Sequence, residues 1–105
     1  MNFDDLTKTI VNTADVARFE GILELQKIEK EAQSHTGGQN DLFNLGLRLI
    51  IDGVSPQLVE EFMADKKKTL VHQFETQLNM IMAGLQATQK GHQPRMIDQK
   101  LRVMY

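Results

Sequence analysis

Cysteine and tryptophan are absent from this 105-residue chain, and proline occurs only twice. Without cysteine there is no disulfide, no thiolate nucleophile and none of the usual cysteine-based zinc frameworks. Serine is confined to Ser34 and Ser55. No Gly-x-Ser-x-Gly elbow, Walker loop or Gly-x-Gly-x-x-Gly turn is present, so the common signatures of nucleophilic catalysis and nucleotide binding are missing. No apolar run approaches the roughly 20 residues that span a bilayer. The start, Met1-Asn2-Phe3-Asp4-Asp5, is acidic and no apolar stretch follows it, unlike a signal peptide. A dominant charge is lacking too: a net −2 gives no general pull toward nucleic acid or anionic lipid. His35, His72 and His92 are scattered. His72 stands one helical turn from Glu75 and two from Asp65, which is short of a metal ligand set and reads as solvated surface. We expect no catalytic residue, no cofactor and no metal, and a cytoplasmic location.

What is present is helical. One-quarter of the residues are charged and 41% are hydrophobic, as in an ordinary soluble domain. The stretch Asp41 to Phe62 organises the rest. Leu42, Phe43, Leu45, Leu47, Leu49, Ile50 and Ile51 leave only Asn44, Arg48 and Asp52 as a polar edge, which predicts a short, buried apolar helix. Asp52-Gly53 stops it, Gly53 supplying a left-handed conformation. Ser55-Pro56 starts the next helix as cap and first residue, with Val54 and Val59 at the spacing of a hydrophobic staple.

Before this stretch, Phe3, Leu6, Ile10, Ala14, Ala17, Gly21, Leu25, Ile28 and Ala32 recur at threes and fours, predicting one long helix from Phe3 to about Ser34. Gly21 on that stripe suggests a close approach by another backbone. Thr36 to Asn40 reads as a connector, with Gly37 or Gly38 as the stop and Asn40 or Asp41 as the next cap. After the corner, Val59, Met63, Lys66, Leu70, Phe74, Leu78, Ile81 and Leu85 predict a second long helix from Pro56 to about Lys90. Lys66-Lys67-Lys68 reads as a solvated face paired with the acids a turn earlier. Gly91 and Pro94 end that helix. Residues 92–105 form a short basic amphipathic tail, with Ile97, Leu101 and Met104 placed to dock on a partner or fold back. The expected fold is all-α: an elongated antiparallel pair of long helices joined through a short buried apolar helix, with residues 1–91 as the domain. Residues 1–38 carry a net −3 and residues 91–105 a net +2, an asymmetry too small to define a partner.

Two segments in order, Ala17-Arg18-Phe19-Glu20-Gly21-Ile22-Leu23-Glu24-Leu25 and Leu45-Gly46-Leu47-Arg48-Leu49-Ile50-Ile51-Asp52-Gly53-Val54-Ser55-Pro56, resemble the cytoplasmic domain of the flagellar motor stator A subunit. This is the MotA branch of the MotA/TolQ/ExbB proton-channel family, and the resemblance covers about residues 5 to 85. It implies a cytoplasmic helical region near the inner face of the membrane whose charged residues engage the rotor switch ring. Arg18 falls on the arginine of that electrostatic contact. The matching acid falls at Gln26, so this chain departs there, and Glu24 or Glu29 is the expected substitute. Lys66 to Lys68 stand where the family is commonly acidic. The family's four membrane helices and their channel-lining groups are missing, so the chain alone cannot conduct protons. It is expected to be either the excised domain or, with its own Met1 and a non-membrane tail, a free-standing relative.

The resulting expectation is a non-enzymatic protein-interaction module that engages switch-ring or stator components through Arg18, Glu20, Glu24 and Glu29. It would bind no nucleic acid and would not span the membrane. The alternative is a self-associating scaffold, a homo-oligomer that keeps the fold without a motor role.

Overall fold

Asn2 opens the fold by accepting a hydrogen bond on its Oδ1 from the Asp5 N–H at 2.8 Å, capping the first helix. The computed structural model describes residues 2–105; Met1, part of the N-terminal reading above, lies outside them. The described chain is all-α. Helix α1 spans Phe3–Phe19, α2 Leu25–Ala32, α3 Gly38–Ile51, α4 Pro56–Gln89 and α5 Pro94–Arg102, with a 3-10 turn at Ile22–Glu24 between α1 and α2. Among the described residues, no helix is long and apolar enough to cross a membrane. The chain gathers into two clusters, one reaching to Lys67 and one from Lys68 to Tyr105.

In the first cluster the expected continuous helix from Phe3 to Ser34 is broken. Gly21 takes φ +103°, a conformation open to glycine, and its amide bonds to the Val16 carbonyl at 3.1 Å. No atom comes close to the space its missing side chain leaves, so the expected backbone approach there is also corrected. With the break, α1 turns a different face inward. Leu6, Thr9, Thr13, Val16 and Ala17 are partly covered, while Phe3 and Ile10 point outward. Thr13 fits this inner row because its hydroxyl donates to the Thr9 carbonyl at 2.8 Å.

Helix α2 turns Leu25, Glu29 and Ala32 inward onto α3, where Leu47 and Gly46 are buried. Helix α3 begins earlier than expected, at Gly38, with Gly37 rather than Asn40 or Asp41 preceding it. It is covered on one side only: Leu47 is buried, Leu42, Phe43, Leu45, Leu49 and Ile51 are half-buried, and Ile50 is exposed. Its end follows the sequence reading. Gly53 takes φ +76°, the Gly53 amide donates to the Ile50 carbonyl at 3.1 Å and the Val54 amide to Leu49 at 3.0 Å, which together satisfy two terminal carbonyls. Ser55 Oγ then accepts from the Leu58 N–H at 3.4 Å, and α4 starts at Pro56.

The close approach in this cluster falls at Gly46. A Cβ built there would lie 3.0 Å from both Sδ and Cε of Met63. Val59, Met63 and Lys66, at intervals of four and three, are the half-buried row of this part of α4, as the periodicity predicts.

Beyond Lys67 the row changes. The covered residues become Leu70, Thr76, Met80, Ala83, Gly84 and Ala87; Ile97 and Leu101 of α5 and Met104 just after it are covered too, and Leu101 packs at Gly84. Leu101 Cδ1 sits 3.7 Å from the Cβ position of Gly84, and Ala87 is almost fully buried. Small residues let α5 come close. The expected stripe residues Phe74, Leu78, Ile81 and Leu85 are exposed instead.

Candidate interaction surface

The expected contact residues begin at the corner that Gly21 makes. Because α1 stops at Phe19 and the chain turns through Gly21 into Ile22–Glu24, the last residues of α1 are displayed at a bend. Arg18, Phe19 and Glu20 are all exposed, Phe19 at 77%. The Arg18 guanidinium carbon lies 5.7 Å from the centre of the Phe19 ring, within cation–π range. Leu23, 68% exposed, and Ile22 continue the apolar part of this corner. The arrangement is a cation resting on an aromatic platform, with neighbouring aliphatic side chains open to solvent.

Glu24 is partly exposed and pairs with Lys27, Nζ to Oε2 at 2.7 Å. That hydrogen bond, with the attraction of the same carboxylate, raises the Lys27 pKa above its ordinary value. Gln26, where the resembled family carries its acid, is exposed and uncharged.

Glu29 is placed elsewhere. It is 5% exposed and holds the Arg48 guanidinium of α3 through Nη2. Arg48 also donates from Nη1 to Asp52 Oδ1 at 3.3 Å. The Glu29 hydrogen bond first, then that of Asp52, raises the Arg48 pKa. A buried carboxylate must be paired, and Glu29 meets that need inside the fold. It is therefore removed from the expected contact set, leaving Arg18, Glu20 and Glu24 at the surface. The ion pair was not anticipated from the sequence. Its signal was there: Asn44, Arg48 and Asp52 recur every four residues on an otherwise apolar helix, and a half-covered arginine on such an edge calls for an acid on whatever packs there.

Two grooves accompany these features. One, of about 210 Å³, is lined in part by Asn12, Glu31, His35 and Phe43. The other, of about 640 Å³, lies along α4 and the chain end and includes His72, Thr76, Met80 and Tyr105. His72 thus faces a groove with Gln73, Gln77 and Met104. Among the described residues, no group of three or more His, Cys, Asp or Glu side chains is placed to hold a metal ion.

Compared with protein-family models, with curated proteins and with solved structures, the chain matches none.

Proposed function

We propose that this chain is a non-catalytic protein-interaction module of the flagellar stator type, binding rotor switch-ring or stator proteins through the corner that carries Arg18. The observation behind the reading is that Arg18 stands exposed on the Phe19 ring at a glycine-made bend. That bend lies within one of the two segments that resemble the stator cytoplasmic domain. Glu20 and Glu24 flank it and set which charges a partner must present. A partner surface with an acid for Arg18 and an apolar ridge for Phe19 and Leu23 fits this chemistry. Exposed ion pairs contribute at most about 1 kcal/mol each. Binding of one copy is therefore weak, salt-sensitive and fast, and gains strength when several copies engage a ring together. The module works in the cytoplasm, near the inner face of the membrane.

The test is capture from a detergent-solubilised lysate of the source organism, with the bound proteins identified by mass spectrometry. The reading expects switch-ring or stator proteins with the unmodified chain and their loss with Arg18→Glu. Recovery of no motor protein, or recovery unaffected by Arg18→Glu, overturns it.

A further inference from the structure

We propose that a second copy of this chain docks antiparallel on the exposed face of α4 formed by Val71, Phe74, Leu78, Ile81, Met82 and Leu85, about a two-fold axis at Leu78. This surface is separate from the Arg18 corner, and the proposal stands on its own observations.

The first observation is its extent. The six side chains are between 48% and 66% exposed, although all are large and apolar. At roughly 100 Å² of open surface each they present about 600 Å² per copy, so that a pair buries about 1,200 Å², the lower edge of a specific interface. A lone soluble chain rarely leaves a patch of that size uncovered.

The second observation is composition. From Thr69 to Gln89 the only Asp, Glu, Lys or Arg is Glu75, with His72 as the one other titratable side chain, and the segment holds Met80 and Met82 with Phe74. Depletion of charge with enrichment in methionine and aromatics marks the centre of protein interfaces. Helix α5 already covers the opposite row, Gly84 and Ala87 among it, so the exposed residues are a second apolar face.

The third observation selects the partner. Val71, Phe74, Leu78, Ile81 and Leu85 are spaced three, four, three and four apart, the seam of a helix pair. Turned end for end about Leu78 the row falls on Leu85, Met82, Leu78, Glu75 and Val71, four of them apolar residues of the same face, so the face meets itself in the reverse direction, as a two-fold contact requires. With the axis at Leu78, Leu78 meets its own copy, Phe74 meets the second copy's Met82 and Val71 meets its Leu85. Sulfur against an aromatic ring is a favourable contact. Glu75 falls beside the second copy's Ile81, at the flank, and not beside another Glu75. A parallel pair would set the two Lys66-Lys67-Lys68 runs side by side, whereas the antiparallel one sends them to opposite ends.

Sedimentation equilibrium of the full chain over a concentration series tests this, together with cysteine crosslinking, which the cysteine-free background makes clean. The unmodified chain should be dimeric at high micromolar concentration. Leu78→Glu should raise the dimer dissociation constant by roughly thirtyfold or more while leaving helical circular dichroism unchanged, since Leu78 is half exposed. Under mild oxidation Leu78→Cys should form a disulfide-linked dimer and Val71→Cys should not. A chain that stays monomeric overturns the proposal. So does a Leu78→Glu variant that assembles like its parent, or a Val71→Cys variant that crosslinks as readily as Leu78→Cys.

Discussion

Glu29 and Arg48 are not equal partners, because Glu29 is buried and Arg48 is half exposed. Removing the arginine strands a carboxylate in the interior, while removing the carboxylate leaves Arg48 with Asp52 and water. Arg48→Met should therefore lower the urea unfolding midpoint clearly more than Glu29→Gln does, and equal midpoints would contradict this asymmetry. Gly46 poses a different problem. An added methyl there meets the end of the Met63 side chain, which is flexible and only half-covered, and it gains helix propensity of about 0.5–1 kcal/mol. Gly46→Ala should be close to neutral, whereas Gly46→Leu should cost about 1–3 kcal/mol by overpacking against α4. A strongly destabilised alanine variant would show that Met63 cannot move aside.

At the scale of the helices, the stop at Gly53 and the start at Ser55-Pro56 were legible because several local signals agreed: a left-handed glycine, a capping hydroxyl and a proline free of its amide. The all-α character and the inner row Val59, Met63 and Lys66 were legible from periodicity for the same reason. Gly21 was misread because its position falls on the apolar period of Phe3 to Ala32. Periodicity does not distinguish a glycine in a stripe from one that interrupts it, although the helix cost of glycine pointed toward a stop. Since nothing crowds Gly21, its need is purely conformational. Gly21→Ala should lower stability by about 1–3 kcal/mol despite the open space around it, measurable by thermal melting. An unchanged melting temperature would contradict the bend and favour a continuous helix. In α4 beyond Lys67 both faces are apolar, so the pattern alone could not say which one α5 would cover; the small residues Ala83, Gly84 and Ala87 decide it by letting α5 approach.

For the whole molecule, the Glu29 ion pair joins residues 19 apart on two successive helices, and such a pairing is hidden from local patterns until α2 and α3 are packed together. The same packing separates structural charge from displayed charge: Glu29 turns inward, and Arg18 remains at the corner with Glu20 and Glu24. The proposed function requires that this corner bind a rotor partner by charge. A charge-swap cycle tests it most directly, with the purified chain titrated against the switch-ring protein of the source organism at low and high salt. Arg18→Glu should abolish binding at low salt, and a reciprocal acid-to-arginine change on the switch-ring protein should restore it. If Arg18→Glu binds as well as the unmodified chain, or if no exchange of charge on the partner restores binding, the corner is not the contact and the account fails.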